Sequence, residues 1–419
     1  MWTKTARSSV KRWGALAAGV VLAAAAFFAS PSLWAQQPKE IKVAVIAPIS
    51  GPWARQGQLI QMGAEMAVAE INEKGGIKAL GGAKLKLVVA DAGDSAEKAK
   101  NAAQRLIAQE PDLIGGTGAW LSTFTLAVTE VTERAQIPWL TLSFADSITD
   151  RGFKFVFQTS PVASLQSSGA VPAILALAKA ATGKAPATAG IIGDNSASPV
   201  FFLKPLREGG LEKMGIKVVM DETYTPPLSD ATPLIQRVRS SRPEFLLFIS
   251  STISDLKLGL EKMNEFRLGK GVIPVIANGA HMGAPEVLKN VPAELLEGLI
   301  FIVADWNLKG HEPINEMFKK RTGEPWITQD AITGYGDMWI LKEALERAGV
   351  ADKVKVADEI RKMDLKEGPA ALALPGGVKF DEKGRRMNAP LVIVQWQKGV
   401  PVSVFPTDRA LAKAYWPKQ

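Results

Sequence analysis

The feature that most restricts the fold is a regular alternation of short apolar runs with longer amphipathic segments. The run IKVAVIA (41–47) is followed by QLIQMGAEMAVAEINEK (58–74), whose apolar residues recur at helical spacing. Strands and helices in this order are typical of a parallel sheet covered by helices on both faces. The alternation continues through strand-like segments at 83–91, 111–116 and 137–143 and helix-like segments at 95–110 and 122–136.

The pattern begins again after FKFVFQTSP (153–161) and predicts a second lobe of the same kind, with strand-like segments at 189–195, 216–224, 244–250 and 272–279. The segments at 299–306 and 331–349 are too few for a core of their own, and we expect both to return to the first lobe. The predicted class is therefore α/β, with two doubly wound parallel-sheet lobes. In such folds a ligand cleft lies at the carboxyl ends of the strands.

The length of 419 residues also favours two lobes, since one core rarely serves a chain this long. A basic start (Lys4, Arg7, Lys11, Arg12) precedes the apolar segment WGALAAGVVLAAAAFFA, which predicts a secretory signal peptide over residues 1–35, cleaved near Ala35. A membrane anchor is the alternative, but the apolar run is short. The chain has no cysteine, which excludes disulfides, thiol catalysis and lipid attachment at an N-terminal cysteine. We therefore expect a periplasmic protein of a Gram-negative cell.

Charge and motifs give little support to other classes of function. Without the four basic residues of the signal peptide the net charge falls from +8 to +4, too small and too dispersed for a nucleic-acid partner. The two histidines, His281 and His311, do not have the spacing of a metal site, and no nucleophile elbow or phosphate loop is present. GGTGAWLS (115–122) lacks the third glycine of a dinucleotide loop. We expect no metal, no cofactor and no enzyme activity. An enzyme would have to rely on Asp91, Asp94 and Asp146.

Two short segments point to a binding site instead. Ser122 and Thr123 lie where a helix is predicted to begin, so free amide N–H groups and two hydroxyls could hold a carboxylate there. The alternative for Ser122 is a simple N-cap. In PISGPWARQG (48–57), Trp53 follows directly after the first predicted strand. Its side chain either lines a binding site or only packs in the hydrophobic core.

The order and spacing of several segments resemble the periplasmic solute-binding proteins of branched-chain amino-acid-type ABC transporters. The similarity covers essentially the whole mature chain and is carried by IKVAVIAPISGPWARQG, GAEMAVAEINEKGGI, LKLVVADAGDSAEKAKNAAQRLI, STFTLAVTEVTERAQIPWLTLS, DRGFKFVFQTSP and YGDMWILKEALERAG. The resemblance implies the type I periplasmic binding fold with three hinge strands near residues 160, 303 and 387. The first lobe would then comprise 36–160 and 304–386, and the second 161–303 and 387–419.

The resemblance also implies site positions. Family members that bind amino acids seat the carboxylate on Ser/Ser/Thr at a helix start and on an Ala-Thr pair after the next strand. Here WLSTFT (120–125) keeps Ser122 but has Leu121 for the first serine, and SFADS (143–147) has Asp146 in place of the threonine. The ammonium-binding positions of the second lobe correspond to Ser198, Thr252 and Ala280 or His281. The full set of expected ligand-binding residues is Trp53, Trp120, Ser122, Thr123, Ser143, Phe144, Ala145, Asp146, Ser198, Thr252 and His281.

The three departures in the second lobe, at Ser198, Thr252 and Ala280 or His281, lie on the ammonium side, and they bear on the ligand. An ammonium in a closed cleft requires an acid or several acceptors, and Asp146 is the one acid that the sequence places nearby. Because Trp53, Trp120, Phe144 and Phe201 would make the pocket aromatic, we expect a small carboxylate, preferably an organic or aromatic acid. Branched-chain amino acids are the alternative. The expected partner is a membrane permease bound by a monomer; a sensing role with a receptor is the other possibility.

Overall fold

The computed structural model describes residues 39–416, and the predicted signal peptide lies outside them. The strands are β1 Glu40–Ala47, β2 Lys84–Asp91, β3 Gly115–Gly118, β4 Trp139–Thr141, β5 Val156–Gln158, β6 Thr188–Asp194, β7 Lys217–Tyr224, β8 Phe245–Ile249, β9 Val275–Asn278, β10 Ile300–Val303, β11 Asp364–Leu365, β12 Val378–Lys379, β13 Val392–Gln397 and β14 Val400–Phe405. The α-helices are α1 Ala54–Glu73, α2 Ala96–Gln109, α3 Ser122–Arg134, α4 Ala163–Thr182, α5 Ala197–Pro205, α6 Leu211–Lys213, α7 Thr232–Ser241, α8 Ile253–Glu265, α9 Val287–Asn290, α10 Ala293–Leu296, α11 Glu312–Thr322, α12 Gln329–Ala348, α13 Lys353–Arg361 and α14 Pro369–Ala373.

The first sheet has the order β2-β1-β3-β4-β5, and each of its pairs is parallel. Strand β1 lies between β2 and β3 and is buried along almost its whole length, as expected for an apolar run that neighbouring strands flank on both sides. The chain changes direction across the sheet between β1 and β3. The carboxyl ends of these strands are therefore where a doubly wound lobe is expected to bind a ligand.

The second sheet repeats this order as β7-β6-β8-β9-β10 and adds two antiparallel strands, β13 and β14, beyond β10. The expectation that the segment 299–306 returns to the first lobe is wrong. Its strand β10 pairs in parallel with β9 and antiparallel with β13, so it belongs to the second sheet. An apolar run predicts burial in a sheet, but the run itself does not say which sheet.

The expectation for the segment 331–349 is confirmed, because α12 packs along α1 on the first lobe. Two glycines allow the close approach. A Cβ at Gly63 would lie 2.0 Å from the carbonyl oxygen of Ala331, and one at Gly334 would lie 2.4 Å from that of Ile60. The two backbones are thus nearly in contact, which fixes the position of the first turn of α12.

The chain passes between the two sheets three times, and Arg386 connects the three crossing segments. Its guanidinium is fully buried. It donates to the carbonyl oxygen of Thr159 in the first crossing and lies 3.7 Å from the carboxylate of Asp305 in the second. It also donates to the carbonyl oxygen of Pro375 at 2.8 Å. Arg386 itself lies in the third crossing, between β12 and β13.

Within residues 39–416, none of the helices has both the length and the apolar character needed to cross a bilayer.

Candidate functional site

A small cavity lies between the two lobes, at the carboxyl ends of strands from both sheets. The loops after β3 and β4 line it from the first lobe, those after β6, β8 and β9 from the second, and the start of α12 completes it. Its lining residues are Trp120, Leu121, Ser122, Thr123, Leu142, Ser143, Phe144, Ser196, Ala197, Ser198, Pro199, Ile249, Ser250, Ser251, Asn278, Gly279, Ala280, His281, Gln329 and Asp330.

The turn that leads into α3 is strained in a way that presents the helix start to the cavity. Ala119 and Trp120 both have positive φ angles, 69° and 53°, which side chains rarely adopt. The hydroxyl of Ser143 donates to the carbonyl oxygen of Trp120 at 2.7 Å and so helps to hold this turn. The amides at the start of α3, at Ser122 and Thr123, have no partner within the helix and lie at the cavity wall.

Ser122 is not the N-cap that the alternative interpretation proposed. The N-cap is Leu121, which has no side-chain cap, and Ser122 is the first residue of the helix. The Ser122 Oγ accepts a hydrogen bond from the amide of Ala145 at 3.1 Å. Because that bond uses only a lone pair, the hydroxyl proton stays available for a ligand oxygen.

Aromatic residues from both lobes meet across the cavity. The ring of Trp120 packs edge to face against that of His281, with centroids 5.6 Å apart and an angle of 88°. Phe144 is buried and lines the same space. Offset and edge-to-face arrangements of this kind suit flat apolar ligands.

His281 is a neutral acceptor in this position. Burial lowers its pKa to about 4. Its Nε2 lies 2.9 Å from the carbonyl oxygen of Ser250, which can only accept, so the proton is on Nε2. The buried Nδ1 therefore carries a lone pair, and it has no partner among the described residues.

Asp194 holds the two serine-bearing loops of the second lobe. Its carboxylate accepts the amide N–H of Ser251 at 2.6 Å and that of Ser196 at 2.8 Å. Ser196 and Ser251 line the cavity, whereas Asp194 lies behind them.

The start of α12 brings two polar side chains to the cavity that sequence reasoning missed. Gln329 accepts the amide of Ala304 at 2.7 Å through Oε1, while its buried Nε2 has no partner among the described residues. Asp330 accepts the indole N–H of Trp120 on Oδ1 at 3.0 Å, and its buried Oδ2 is unpartnered within residues 39–416. Burial raises the pKa of Asp330 to about 7, against the hydrogen bond from Trp120 and the charge of Arg55. No local signal in the sequence points to them, because they reach the cavity through the packing of α12 on α1.

The structure places seven of the eleven predicted residues in the lining of the cavity: Trp120, Ser122, Thr123, Ser143, Phe144, Ser198 and His281. Trp53, Ala145, Asp146 and Thr252 are not part of it. Phe201, named as a further aromatic wall, is partly buried and packs against apolar clusters of both lobes instead.

The interpretation of Asp146 as the acid of the site is wrong. Its carboxylate accepts the amide of Ser164 at 3.2 Å and also the Ser164 hydroxyl, at the start of α4. The two oxygens are therefore occupied by a helix terminus outside the cavity. The acid that lines the cavity is Asp330, contributed by a helix almost two hundred residues further along the chain.

Trp53 and Thr252 have supporting positions. The Trp53 indole packs edge to face on Phe124, with centroids 5.6 Å apart, and donates to the carbonyl oxygen of Ser251 at 3.2 Å. It thus reaches across the cleft without lining the cavity. Thr252 is the N-cap of α8 and accepts the amide of Asp255 at 3.1 Å. Ala145 contributes only its amide, to Ser122.

No cluster of three or more His, Asp or Glu side chains that could hold a metal ion occurs in the part of the chain that the structure describes. Among the residues that line the cavity, Asp330 is the one acid, and there is no lysine or arginine. An anionic group entering it would have to be bound by amides and hydroxyls.

A family model described as periplasmic binding protein matches residues 40–401. Among curated proteins, the Leu/Ile/Val-binding protein homolog 7 of Brucella suis is 28% identical over 388 residues, covering 90% of this chain and 94% of the relative.

Among solved structures, the branched-chain amino acid transporter substrate-binding protein LivJ of Streptococcus pneumoniae, in complex with isoleucine, superposes with a TM-score of 0.73 at 18% identity, covering 87% of this chain and 99% of the other. A solute-binding protein of an ABC transporter from R. palustris in complex with benzoate superposes with a TM-score of 0.73 at 18% sequence identity, covering 91% of this chain and 100% of the other. A solute-binding protein of an ABC transporter from Rhodopseudomonas palustris BisB5 in complex with 3,4-dihydroxy benzoic acid superposes with a TM-score of 0.72 at 19% sequence identity, covering 91% of this chain and 98% of the other. At these identities the likeness concerns the fold, which is the type I fold predicted from the sequence.

Proposed function

The chain belongs to the periplasmic binding protein family, and on that premise we propose that it is the substrate-binding component of an ABC uptake transporter for a small carboxylate-bearing solute. The observation that carries the proposal is the cavity between the lobes. On one wall the amides of Ser122 and Thr123 and the Ser122 hydroxyl converge, with no basic side chain in the lining. A helix start with free N–H groups binds a carboxylate without arginine.

The preferred solute is an organic or aromatic acid. Trp120, Phe144 and His281 provide flat or apolar faces around the carboxylate position. Solved structures of the same fold include one with benzoate and one with 3,4-dihydroxy benzoic acid. A micromolar site requires about 8 kcal/mol of net binding free energy, which a held carboxylate and one or two buried aromatic faces can supply.

A branched-chain amino acid is the second candidate, and Asp330 is the observation that favours it. A carboxylate in the lining could hold an α-ammonium, which the acid predicted from the sequence, Asp146, does not reach. The Leu/Ile/Val-binding homolog and the isoleucine complex agree with this alternative.

Capture proceeds by closure of the two lobes, with the hinge at the crossings near residues 160, 303 and 387. The ligand docks on the first lobe, the second lobe covers it, and water is expelled. The closed form is then the one that a membrane permease recognises, after export of the chain with its signal peptide removed near Ala35.

A thermal-shift panel of benzoates, cinnamates, aliphatic acids and amino acids tests the proposal. A ligand at a hundredfold excess over its dissociation constant adds about 2.7 kcal/mol to the free energy of unfolding, so a true ligand raises the melting temperature clearly. We expect carboxylic acids to raise the melting temperature. Strong stabilisation by leucine with none by any acid that lacks an amino group would favour the second candidate. A pull-down from membrane extracts with and without ligand distinguishes a permease partner from a receptor.

A further inference from the structure

The cavity contains a second polar group, the side chain of Asp330, whose role is not explained by the carboxylate cradle, that is, by carboxylate binding at the start of α3 (Ser122 and Thr123). Asp330 is fully buried and lies in the lining, at the second position of α12. Its Oδ1 accepts the indole N–H of Trp120 at 3.0 Å, and its Oδ2 has no partner within residues 39–416. A buried acceptor without a partner is costly, and in a binding site it indicates a group that arrives with the ligand.

We propose that Asp330 accepts a hydrogen bond from a hydroxyl or ammonium group of the ligand, so that the ligand class is a small carboxylic acid with a second, protic group. This proposal rests on the proposed function, since it assumes that the carboxylate of the ligand occupies the start of α3. The acid of the cavity then serves as a determinant of specificity.

The neighbours of Asp330 act toward the ionised, accepting form of the group, against burial, which raises its pKa to about 7. The indole of Trp120 points its N–H at one oxygen, and a donor stabilises a carboxylate more than a carboxylic acid. The start of α12 adds the positive end of a helix dipole. The positive charge of Arg55 also acts to lower the pKa of Asp330.

The other free groups in the cavity fit the same ligand. The buried Nδ1 of His281 is an acceptor, and the unpartnered Ser251 hydroxyl can accept as well. Ser122 and Gln329 offer donors in the same lining. The lining therefore holds donors suited to a carboxylate as well as acceptors suited to a protic group, and a ligand with only a carboxylate would leave the acceptors unpaired.

Binding of matched compounds by isothermal titration calorimetry tests the inference. The aromatic set is benzoate, its three monohydroxy derivatives and their methyl ethers. The aliphatic set is 4-methylpentanoate, 2-hydroxy-4-methylpentanoate and leucine, which share one skeleton. We expect at least one hydroxyl- or ammonium-bearing compound to bind wild type tenfold or more tightly than its parent acid, while its methyl ether shows no such gain. The two sets distinguish hydroxyl from ammonium as the preferred donor.

The variant Asp330→Asn supplies the decisive comparison, because it keeps the acceptor for Trp120 but replaces Oδ2 by an NH₂ donor. We expect the preference over the parent acid to fall to within about twofold. Asp337→Asn is the matched control. Asp337 is also fully buried on α12, two turns further on, but does not line the cavity. That variant should keep the preference.

Three outcomes would overturn the inference. One is a preference that survives in Asp330→Asn, because the group would then be acting as a donor. Another is tight binding of parent acids with no gain from any protic group, which would leave the proposed function intact. Failure of every acid and amino acid to bind would refute the proposed function together with the inference. Thermal melts of both variants show whether they are folded.

Discussion

The indole N–H of Trp53, in the loop after β1, donates to the carbonyl oxygen of Ser251 in the second lobe, 3.2 Å away. A second indole, that of Trp326, crosses the same cleft to the carbonyl oxygen of Gly283 at 2.9 Å. Both carbonyls belong to loops after strands of the second sheet. The lobes are thus in contact at two places, and the described structure is a closed one.

An ion-pair group adds to this closure. The guanidinium of Arg55 forms an ion pair with Glu286 of the second lobe and a second ion pair with Glu324, whose carboxylate oxygen lies 2.5 Å from Nη2. All three side chains are mostly shielded from solvent. We predict that Arg55→Ala weakens ligand binding roughly five- to thirtyfold, equivalent to about 1–2 kcal/mol, because the closed form loses its cross-cleft partner. Calorimetry with the ligand found in the thermal-shift panel measures this. Arg105→Ala, at an exposed position on α2, is the control. Unchanged affinity in Arg55→Ala would show that the contact plays no part in closure.

The Ser122 hydroxyl is one of the donors at the proposed carboxylate position. We predict that Ser122→Ala reduces affinity for an acid ligand about ten- to a hundredfold, since one donor to a charged group is lost and the amide of Ala145 loses its acceptor. Ser95→Ala removes a helix-start hydroxyl on α2, away from the cavity, and should affect only stability, by about 1 kcal/mol. Equal affinities for the two variants would contradict the position assigned to the carboxylate.

The positions of the strands and helices could largely be predicted from the sequence, because apolar periodicity is a local property. The strands expected at 41–47 and 83–91 are found at Glu40–Ala47 and Lys84–Asp91. The third strand lies at Gly115–Gly118 rather than at 111–116, because three glycines rather than an apolar run form it.

Pairing partners and the acid of the site could not be predicted in this way. The apolar pattern placed the segment 299–306 in the first lobe and predicted no strands at β13 and β14. Asp146 occupies the position at which family members have a ligand-binding threonine, whereas its side chain turns to α4. Asp330 reaches the cavity through helix packing, which depends on contacts between distant parts of the chain.

The buried guanidinium of the hinge gives a stability prediction. We expect Arg386→Met to lower the free energy of unfolding by about 3–5 kcal/mol, because Asp305 would remain as a buried charge without its cation. Adding Asp305→Asn should restore part of the loss. Urea unfolding of the single and double variants measures the coupling. A double variant no more stable than Arg386→Met alone would mean that the two side chains do not interact.

The stability should also depend on pH through Asp337 on α12. Burial raises its pKa to about 7, against the hydroxyls of Thr117 and Thr159 and the charge of Arg386, while the nearby Asp305 raises it further. Between the ordinary pKa of 3.8 and this value the folded state holds a proton that the unfolded state releases. The contribution of Asp337 to stability therefore falls as the pH rises through this window.

We predict that the stability of Asp337→Asn relative to wild type increases between about pH 4 and pH 7 by up to about 4 kcal/mol, since each pKa unit corresponds to about 1.4 kcal/mol. Groups that do not interact with Asp337, such as His281, cancel in the difference between the two proteins. Urea unfolding at several pH values measures it. A difference that stays constant across the window would contradict the raised pKa.

The most direct test of the account is a crystal structure with the ligand that the thermal-shift panel identifies. We predict that the ligand lies in the cavity between the lobes, with its carboxylate within hydrogen-bonding distance of the amides of Ser122 and Thr123 and of the Ser122 hydroxyl. A carboxylate bound to the second lobe, or a ligand outside this cavity, would contradict it.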